Sequence, residues 1–337
     1  MKNNRIILLM LVLAISVGVF TGCTEKAVEV TGEVIDKQVK EEPSKDYGIT
    51  INEDTVSFID GTGEEINVNK NPQRTVVLFA SYLDLWTRNG GKLVGMVEDK
   101  SGVVIPGTQG VETVGTTGSI SLEKIISLEP DLVILSSNSR GQVELIPTLN
   151  ENDIQVIAID YKLQDDYYKV VRLFSAINNR EDLYELNAVA VNKDVQTIIE
   201  KAPENNSPKV FIMSATEKGL TSLGSNTTVG EMLADLNTVN IADAPNDLLD
   251  DKNFSMEKII EENPDFIFVQ TMGSDEAKII ERIKADAESN PAWASLTAVK
   301  NDRYIFLPKD LYTYKANHRY AEAYENLAKI LYPEVFE

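Results

Sequence analysis

The sequence predicts an α/β protein of two similar lobes, each a small, mainly parallel sheet flanked by helices, joined by one long connecting helix. Three observations carry this. A fifteen-residue unit occurs twice, at residues 121–135 and 255–269, with seven identical positions at a constant offset of 134 (255 − 121). Each unit ends in a wholly apolar run, 132–135 and 266–269, which suits a parallel strand covered on both faces. Between the units, residues 165–202 hold a helical pattern without a strand. Taken alone, the repeat fits any pair of α/β halves and says little about function.

Both units follow one physical logic. Ser121 and Ser255 are placed to cap a helix by accepting from a backbone N–H one turn on, and Glu123 and Glu257 fall where the helix dipole favours an anion. Two Ile residues then supply an inward face. Pro130 and Pro264 stop the helix, because proline lacks an N–H and disfavours helical geometry in the residue before it. Each unit therefore reads as a helix feeding a central strand.

The remaining elements follow in order. Residues 55–60 and 65–68 alternate around Asp60-Gly61-Thr62-Gly63 and read as an edge hairpin. Residues 75–80 form the first parallel strand. A helix from Ser81 stops near Asn89-Gly90-Gly91, and a second strand covers 93–97. The loop over 102–118 contains Gly115-Thr116-Thr117-Gly118, which lacks the Lys-Ser/Thr of a phosphate loop and so excludes nucleotide binding there. Polar residues 136–141 read either as a ligand-contacting loop at a strand's carboxyl end or as an ordinary turn. A helix over 143–150 and a strand over 155–159 complete the lobe. In the connecting region Asn179 is placed as a cap, Glu181 and Asp182 in the first turn, and Lys201 and Pro203 at the end. Roughly 22 residues at about 1.5 Å each span some 33 Å, enough to cross between lobes. The second lobe runs through a strand at 209–214, a helix at 229–236, the second repeat, a helix at 276–289, a strand at 303–307 and a closing helix at 320–331.

The amino terminus adds a leader. A short basic start (Lys2, Arg5) precedes an apolar run too short to span a membrane comfortably, so residues 1–22 read as a secretory signal. Thr21-Gly22-Cys23 resembles a bacterial lipobox and holds the single cysteine, which makes Cys23 the expected lipidation site; an incidental cysteine is the alternative. Residues 23–46 form a flexible charged tether, 47–164 the N-terminal lobe, 165–203 the connecting segment and 204–337 the C-terminal lobe. With 32 Lys and Arg against 53 Asp and Glu, the net charge is −21, so nucleic acid is not an expected partner, and an anionic ligand requires a local basic cluster.

Several segments together resemble a known family. The lipobox, Pro72-x-Arg74 before the strand at 76–78, both Ser-x-Glu…Pro-Asp units, Asn240-Ile241-Ala242, Asn290-Pro291-Ala292-Trp293 and Leu331-Tyr332-Pro333 are similar, in that order, to the bacterial substrate-binding lipoproteins of iron-complex and cobalamin ABC importers. The likeness covers nearly everything from Ile49 onward. It implies a ligand cleft between two lobes that move little, an extracytoplasmic, lipid-anchored monomer, and an ABC permease with its ATPase as partners. It also implies that Glu123 and Glu257 dock onto Arg residues of the permease; the alternative is that both only complement their helix dipoles.

On this resemblance the cleft is lined by loops after the strands. The candidates are Tyr82 and Trp86, residues 138–140 with Asn138 and Arg140, Tyr161, residues 214–216, Ser225 and Asn226, residues 270–272 with Gln270, and residues 312–315 with Tyr312, Tyr314 and Lys315. Aromatic faces suit a broad ligand, and Arg140 with Lys315 suits carboxylate or hydroxamate oxygens. Lys315 and Arg319 are alternatively only decoration of the last helix. His318 is the one histidine, without a companion cluster of metal spacing, so bare zinc or manganese is not expected and no metal ligand or intrinsic cofactor is assigned. The expected ligand is an iron chelate, first a ferric siderophore, then cobalamin or haem. No catalytic residue emerges, because nucleophile and acid–base pairs are missing from the pattern. A surface scaffold lipoprotein is the rival class, and it needs no pocket between lobes.

Overall fold

A computed structural model describes residues 46–99, 102–243 and 256–337, all within one packing unit. The leader over 1–22, Cys23, nearly all of the tether over 23–46, and Ser255 lie outside the described residues. The first strands are β1 (Thr50–Ile51), β2 (Thr55–Ile59), β3 (Glu65–Asn69), β4 (Thr75–Val77), β5 (Leu93–Met96), β6 (Glu112–Thr113), β7 (Gly115–Thr116), β8 (Ser119–Ile120), β9 (Leu132–Ser136) and β10 (Gln155–Ile159). Strands β1, β2 and β3 form an antiparallel sheet of their own, and β7 with β8 a small hairpin. The order β10-β9-β4-β5-β6 makes a wholly parallel sheet.

The second sheet repeats the plan. It contains β11 (Lys209–Thr216), β12 (Gly219–Ser222), β13 (Val239–Asn240), β14 (Phe266–Thr271) and β15 (Tyr304–Phe306). Strand β14 lies between β15 and β11, all parallel, while β13 pairs parallel and β12 antiparallel with β11. The doubled unit explains the likeness locally. Asp131 accepts from the backbone N–H of Gln73 and Arg74 at 2.6 and 2.9 Å, and Asp265 from that of Lys209 at 2.9 Å, so each Pro-Asp ties a central strand to the start of its neighbour. Ser121 caps its helix, Leu122–Ser127, through the N–H of Lys124 at 3.3 Å. Arg74 closes the same helix at its other end by donating to the carbonyls of Leu128 and Glu129.

The connection departs from a single helix. Helix Gln164–Ile177 ends at Asn178, and a second helical run follows: Glu181–Tyr184, a wide turn at Glu185–Val189, then Ala190–Lys201. Asn179 does not cap that run; its φ of 54° places it in the left-handed region, where asparagine is tolerated, and its N–H bonds back to Ala176 at 3.1 Å to terminate the preceding helix.

Period-two alternation sorts the strands between clusters. Leu132, Ile134, Ile157, Val210, Ile212, Phe266 and Phe268 face one shared cluster that runs through both lobes, while Val133, Leu135 and Val156 face an outer cluster of the first lobe and Phe211, Met213, Ile267 and Val269 one of the second. One core cluster is thus common to both lobes, with a smaller outer cluster on each. The shared cluster includes Trp86, Phe174, Tyr167, Tyr320 and Tyr324, and each such side chain contributes roughly 1.5–3 kcal/mol by leaving water. Among the described residues no helix is long and apolar enough to cross a membrane.

Candidate functional site

Loops leaving β4, β5 and β15 enclose a cavity of about 330 Å³ between the lobes. The carboxyl ends of parallel strands are where open α/β sheets place ligands. One wall comes from the first lobe: Ser81 and Asp84 on helix Ala80–Arg88, Glu98 and Asp99 just past β5, and the turn Thr117-Gly118 between β7 and β8. The other comes from the second lobe, with Asp310 and residues 314–319 after β15. Buried Gln142 holds the first wall together: its amide accepts from Ser136 N at 2.8 Å and donates to Leu78 O at 2.8 Å and Thr117 O at 3.3 Å. Gly115 is required for the same wall, since its φ is 129° and a Cβ would stand 2.3 Å from Ser119 O.

Short polar contacts join the walls. His318 Nδ1 lies 3.0 Å from Asp84 Oδ2, and Arg88 reaches the other oxygen of that carboxylate at 2.5 Å. Burial raises the Asp84 carboxyl, but the hydrogen bond and charge of His318 and the charge of Arg88 outweigh it and hold the group below the ordinary aspartate value. A carboxylate can only accept, so His318 Nδ1 is the donor of this bond. Asn317, held at φ 52°, donates to Ser81 O at 3.1 Å; the Tyr161 hydroxyl lies 3.3 Å from its Oδ1 and 3.1 Å from the Tyr320 hydroxyl. Lys315 donates to Lys162 O at 2.5 Å and to Thr228 Oγ1 at 3.2 Å, with its ammonium 4.6 Å from the Tyr161 ring centre. Burial pushes that amine down to about 8, against opposing pulls from Asp166, Glu231 and Asp160. Arg319 sits between Glu322 and Asp310, every contact at 2.7 Å, and these bonds raise its guanidinium further.

Of the expected contact residues, the cavity gathers Tyr314 and Lys315. Four aromatics are corrected. Trp86 is fully buried, edge-on to Phe174 with ring centres 5.1 Å apart, and its Nε1 donates to Lys92 O at 3.0 Å. Tyr312 is buried and donates to Ala323 O at 2.9 Å, and Tyr82 is buried and donates to Ile159 O at 3.2 Å. Tyr161 supports the floor from beneath, as described. Tyr82 and Trp86 lie on the helix that follows β4, and Tyr312 on the helix that follows β15, each with its ring turned inward. Asn138 donates to Asp160 at 2.7 Å and Arg140 pairs with Glu144 at 2.8 Å on the outside, Ser225 bonds to Asp243, and Gln270 donates to Tyr312 O at 2.5 Å; none of these four lines the cavity. Sequence reasoning missed Asp84, Glu98, Asp99, Gln142 and Asp310, and it set His318 aside. The available signal was position: Asp84 stands on the first helix beyond a parallel strand. Among the described residues no three His, Cys, Asp or Glu side chains converge as a metal site.

The profile of the Periplasmic binding protein family matches residues 76–311, which runs from within β4 to beyond β15. The chain belongs to the periplasmic binding protein family. Among relatives of this periplasmic binding protein, the ABC transporter substrate-binding lipoprotein YvrC of Bacillus subtilis is 27% identical over 84% of this chain and 87% of that one. The Fe(3+)-citrate-binding protein YfmC of Bacillus subtilis is 24% identical over 92% of each. In fold, Staphylococcus aureus IsdE, solved with heme, superposes with a TM-score of 0.64 at 18% identity, covering 78% of this chain and 100% of that one. YvrC is named as an ABC transporter substrate-binding lipoprotein, and the structural match shows that the α/β fold is shared.

Proposed function

We propose that this periplasmic binding protein is the extracytoplasmic solute-binding lipoprotein of an ABC importer, tethered through acylated Cys23, and that it captures an iron chelate, a ferric siderophore, between its lobes for delivery to the permease. The observation that carries it is the cavity of about 330 Å³ with one wall from each lobe at the strands' carboxyl ends. A scaffold lipoprotein needs no such cavity. Iron is supported by the ferric citrate named for YfmC. Each acyl methylene buried in the membrane adds about 0.8 kcal/mol, so diacylated Cys23 suffices as an anchor.

Haem is the second reading, favoured by one feature. Asp84 fixes the His318 imidazole through Nδ1, the arrangement that presents Nε2 to a metal. Cobalamin fills the same transport role. Isothermal titration with a ferric chelate panel, haem and cobalamin tests the proposal, alongside Gly118→Trp. Gly118 lines the cavity, and a Cβ there meets no atom within 4 Å, so the indole occupies the cleft without strain at its root. An iron complex bound below micromolar by the parent and lost in Gly118→Trp is expected; binding unaffected by Gly118→Trp places the site elsewhere, and cobalamin alone binding replaces the iron assignment.

A further inference from the structure

Residues 314–319 of the second lobe lie between helix Lys309–Tyr312 and helix Tyr320–Leu331, and all of them line the cavity. The same segment carries bonds to the first lobe: Lys315 donates to Lys162 O, Asn317 donates to Ser81 O at 3.1 Å, and His318 Nδ1 lies 3.0 Å from Asp84 Oδ2. These bonds differ in where they land. Lys162 stands just before helix Gln164–Ile177, and Gln164 itself bonds to Glu231 and Tyr324 of the second lobe. Contacts at that root sit beside the hinge and change little when lobes part. Ser81 and Asp84 stand on another element, helix Ala80–Arg88, so the cleft cannot widen there without breaking the bonds of Asn317 and His318.

Asn317 is built into this position. It is 4% exposed, and its φ of 52° is one that asparagine tolerates better than most residues. Ser81 O can only accept, so the amide nitrogen of Asn317 faces it, which turns Oδ1 toward the Tyr161 hydroxyl at 3.3 Å. That oxygen can only accept as well, so Tyr161 donates to it and receives in turn from the Tyr320 hydroxyl, 3.1 Å away. Both ends of one buried amide are thus satisfied by the first lobe, and the next residue in the chain is the one that meets Asp84. We infer that Asn317 is a positioning residue for solute binding: it fastens the wall segment 314–319 to the first lobe, and so sets both the width of the cleft and the place of His318 within it. Contact of a solute with this segment and the spacing of the lobes are then linked through one side chain. The linkage does not depend on which solute the cleft takes.

The test uses two readouts that a merely stabilising residue leaves alone. With Cys23, the only cysteine, replaced in Cys23→Ser, spin labels on Glu151→Cys and Glu281→Cys, exposed sites on one helix of each lobe, report the lobe separation by double electron–electron resonance. His318 is the only histidine, so the ring nitrogen signals of protein labelled with 15N-histidine report its bond to Asp84 without ambiguity. Asn317→Gly keeps the left-handed backbone available and removes both side-chain bonds. The expected result is a broader label separation, longer by about 2 Å or more, together with an Nδ1 signal moved toward that of a free imidazole. Tyr161→Phe removes one of the two bonds while keeping the ring, and it shifts both readouts the same way by less. An unchanged separation and Nδ1 signal in Asn317→Gly, with only a lower urea midpoint, overturns the proposal, and so does a change in one readout without the other. Should Asn317→Gly fail to fold, Tyr161→Phe decides by the same two measurements.

Discussion

His318 Nδ1 stands 3.0 Å from Asp84 Oδ2, and the two residues are 234 positions apart, one on each wall of the cleft. The pair is an inter-lobe clasp. Because the Asp84 carboxyl is held below its ordinary value of 3.8, it contributes stability that is complete above that pH and is lost as pH falls through the folded-state value. Asp84→Asn should therefore be destabilised at about pH 6 and should differ less from the parent at about pH 3, as read by urea midpoints. A gap that is constant across that range rules out the titration of Asp84 as its source.

Lys315 gives the opposite slope. Its amine, pushed down to about 8 from the ordinary 10.5, is neutral in the folded protein over a window where the unfolded chain still binds a proton. Stability from this group consequently rises with pH between those values. Lys315→Met removes the slope, so the difference between parent and variant should shift toward the parent by about 1 to 2 kcal/mol between about pH 7.5 and 9.5. The buried tyrosines are common to both proteins and cancel in the comparison. An unchanged difference means the amine stays charged in the cleft.

Trp86 is a packing residue, and its neighbour Gly91 shows why. A Cβ at Gly91 would come within 2.2 Å of the indole, which lies flat against that backbone. Gly91→Ala should cost about 1 to 3 kcal/mol by overpacking and Trp86→Ala about 3 to 5 kcal/mol by the void it leaves. Ligand affinity should survive Trp86→Phe. Trp293, the other tryptophan, is buried as well, so acrylamide quenching should be weak and emission blue-shifted; strong quenching contradicts both placements.

Elements were legible where the code is local. Strand β10 and the last helix, Tyr320–Leu331, fall on the residues that alternation and helical spacing mark, and the Pro-Asp units sit at matching places in both sheets. The cleft was not legible in the same way. Tyr82, Trp86 and Tyr312 carry the aromatic faces a ligand would use, yet the same faces satisfy a core, and only the path of the chain between lobes decides which. His318 and Asp84 lack any sequence relation, because the contact that gives them meaning is made by two loops from different sheets. Asn179 was misplaced for a finer reason. Asparagine serves both as a helix cap and as a left-handed terminator, and the break between the two helices was needed to tell which.

The doubled unit makes the last prediction. Glu123 and Glu257 occupy the first turns of helices Leu122–Ser127 and Met256–Glu262, and both are exposed. Either each only complements its helix dipole, worth some 0.3 to 1 kcal/mol, or the pair presents one charge per lobe to a two-subunit permease. The readings separate in cells. Under docking, Glu123→Ala/Glu257→Ala should abolish most ligand uptake while purified protein keeps its affinity and loses about 2 kcal/mol of stability at most. Reversal to Arg at both sites should be worse than Ala, since like charges then meet the expected arginines. Under the dipole reading, uptake follows stability alone, and supplying the double mutant at higher expression restores it fully. Loss of uptake that expression cannot rescue, with affinity intact, is the outcome that assigns these two residues to the permease.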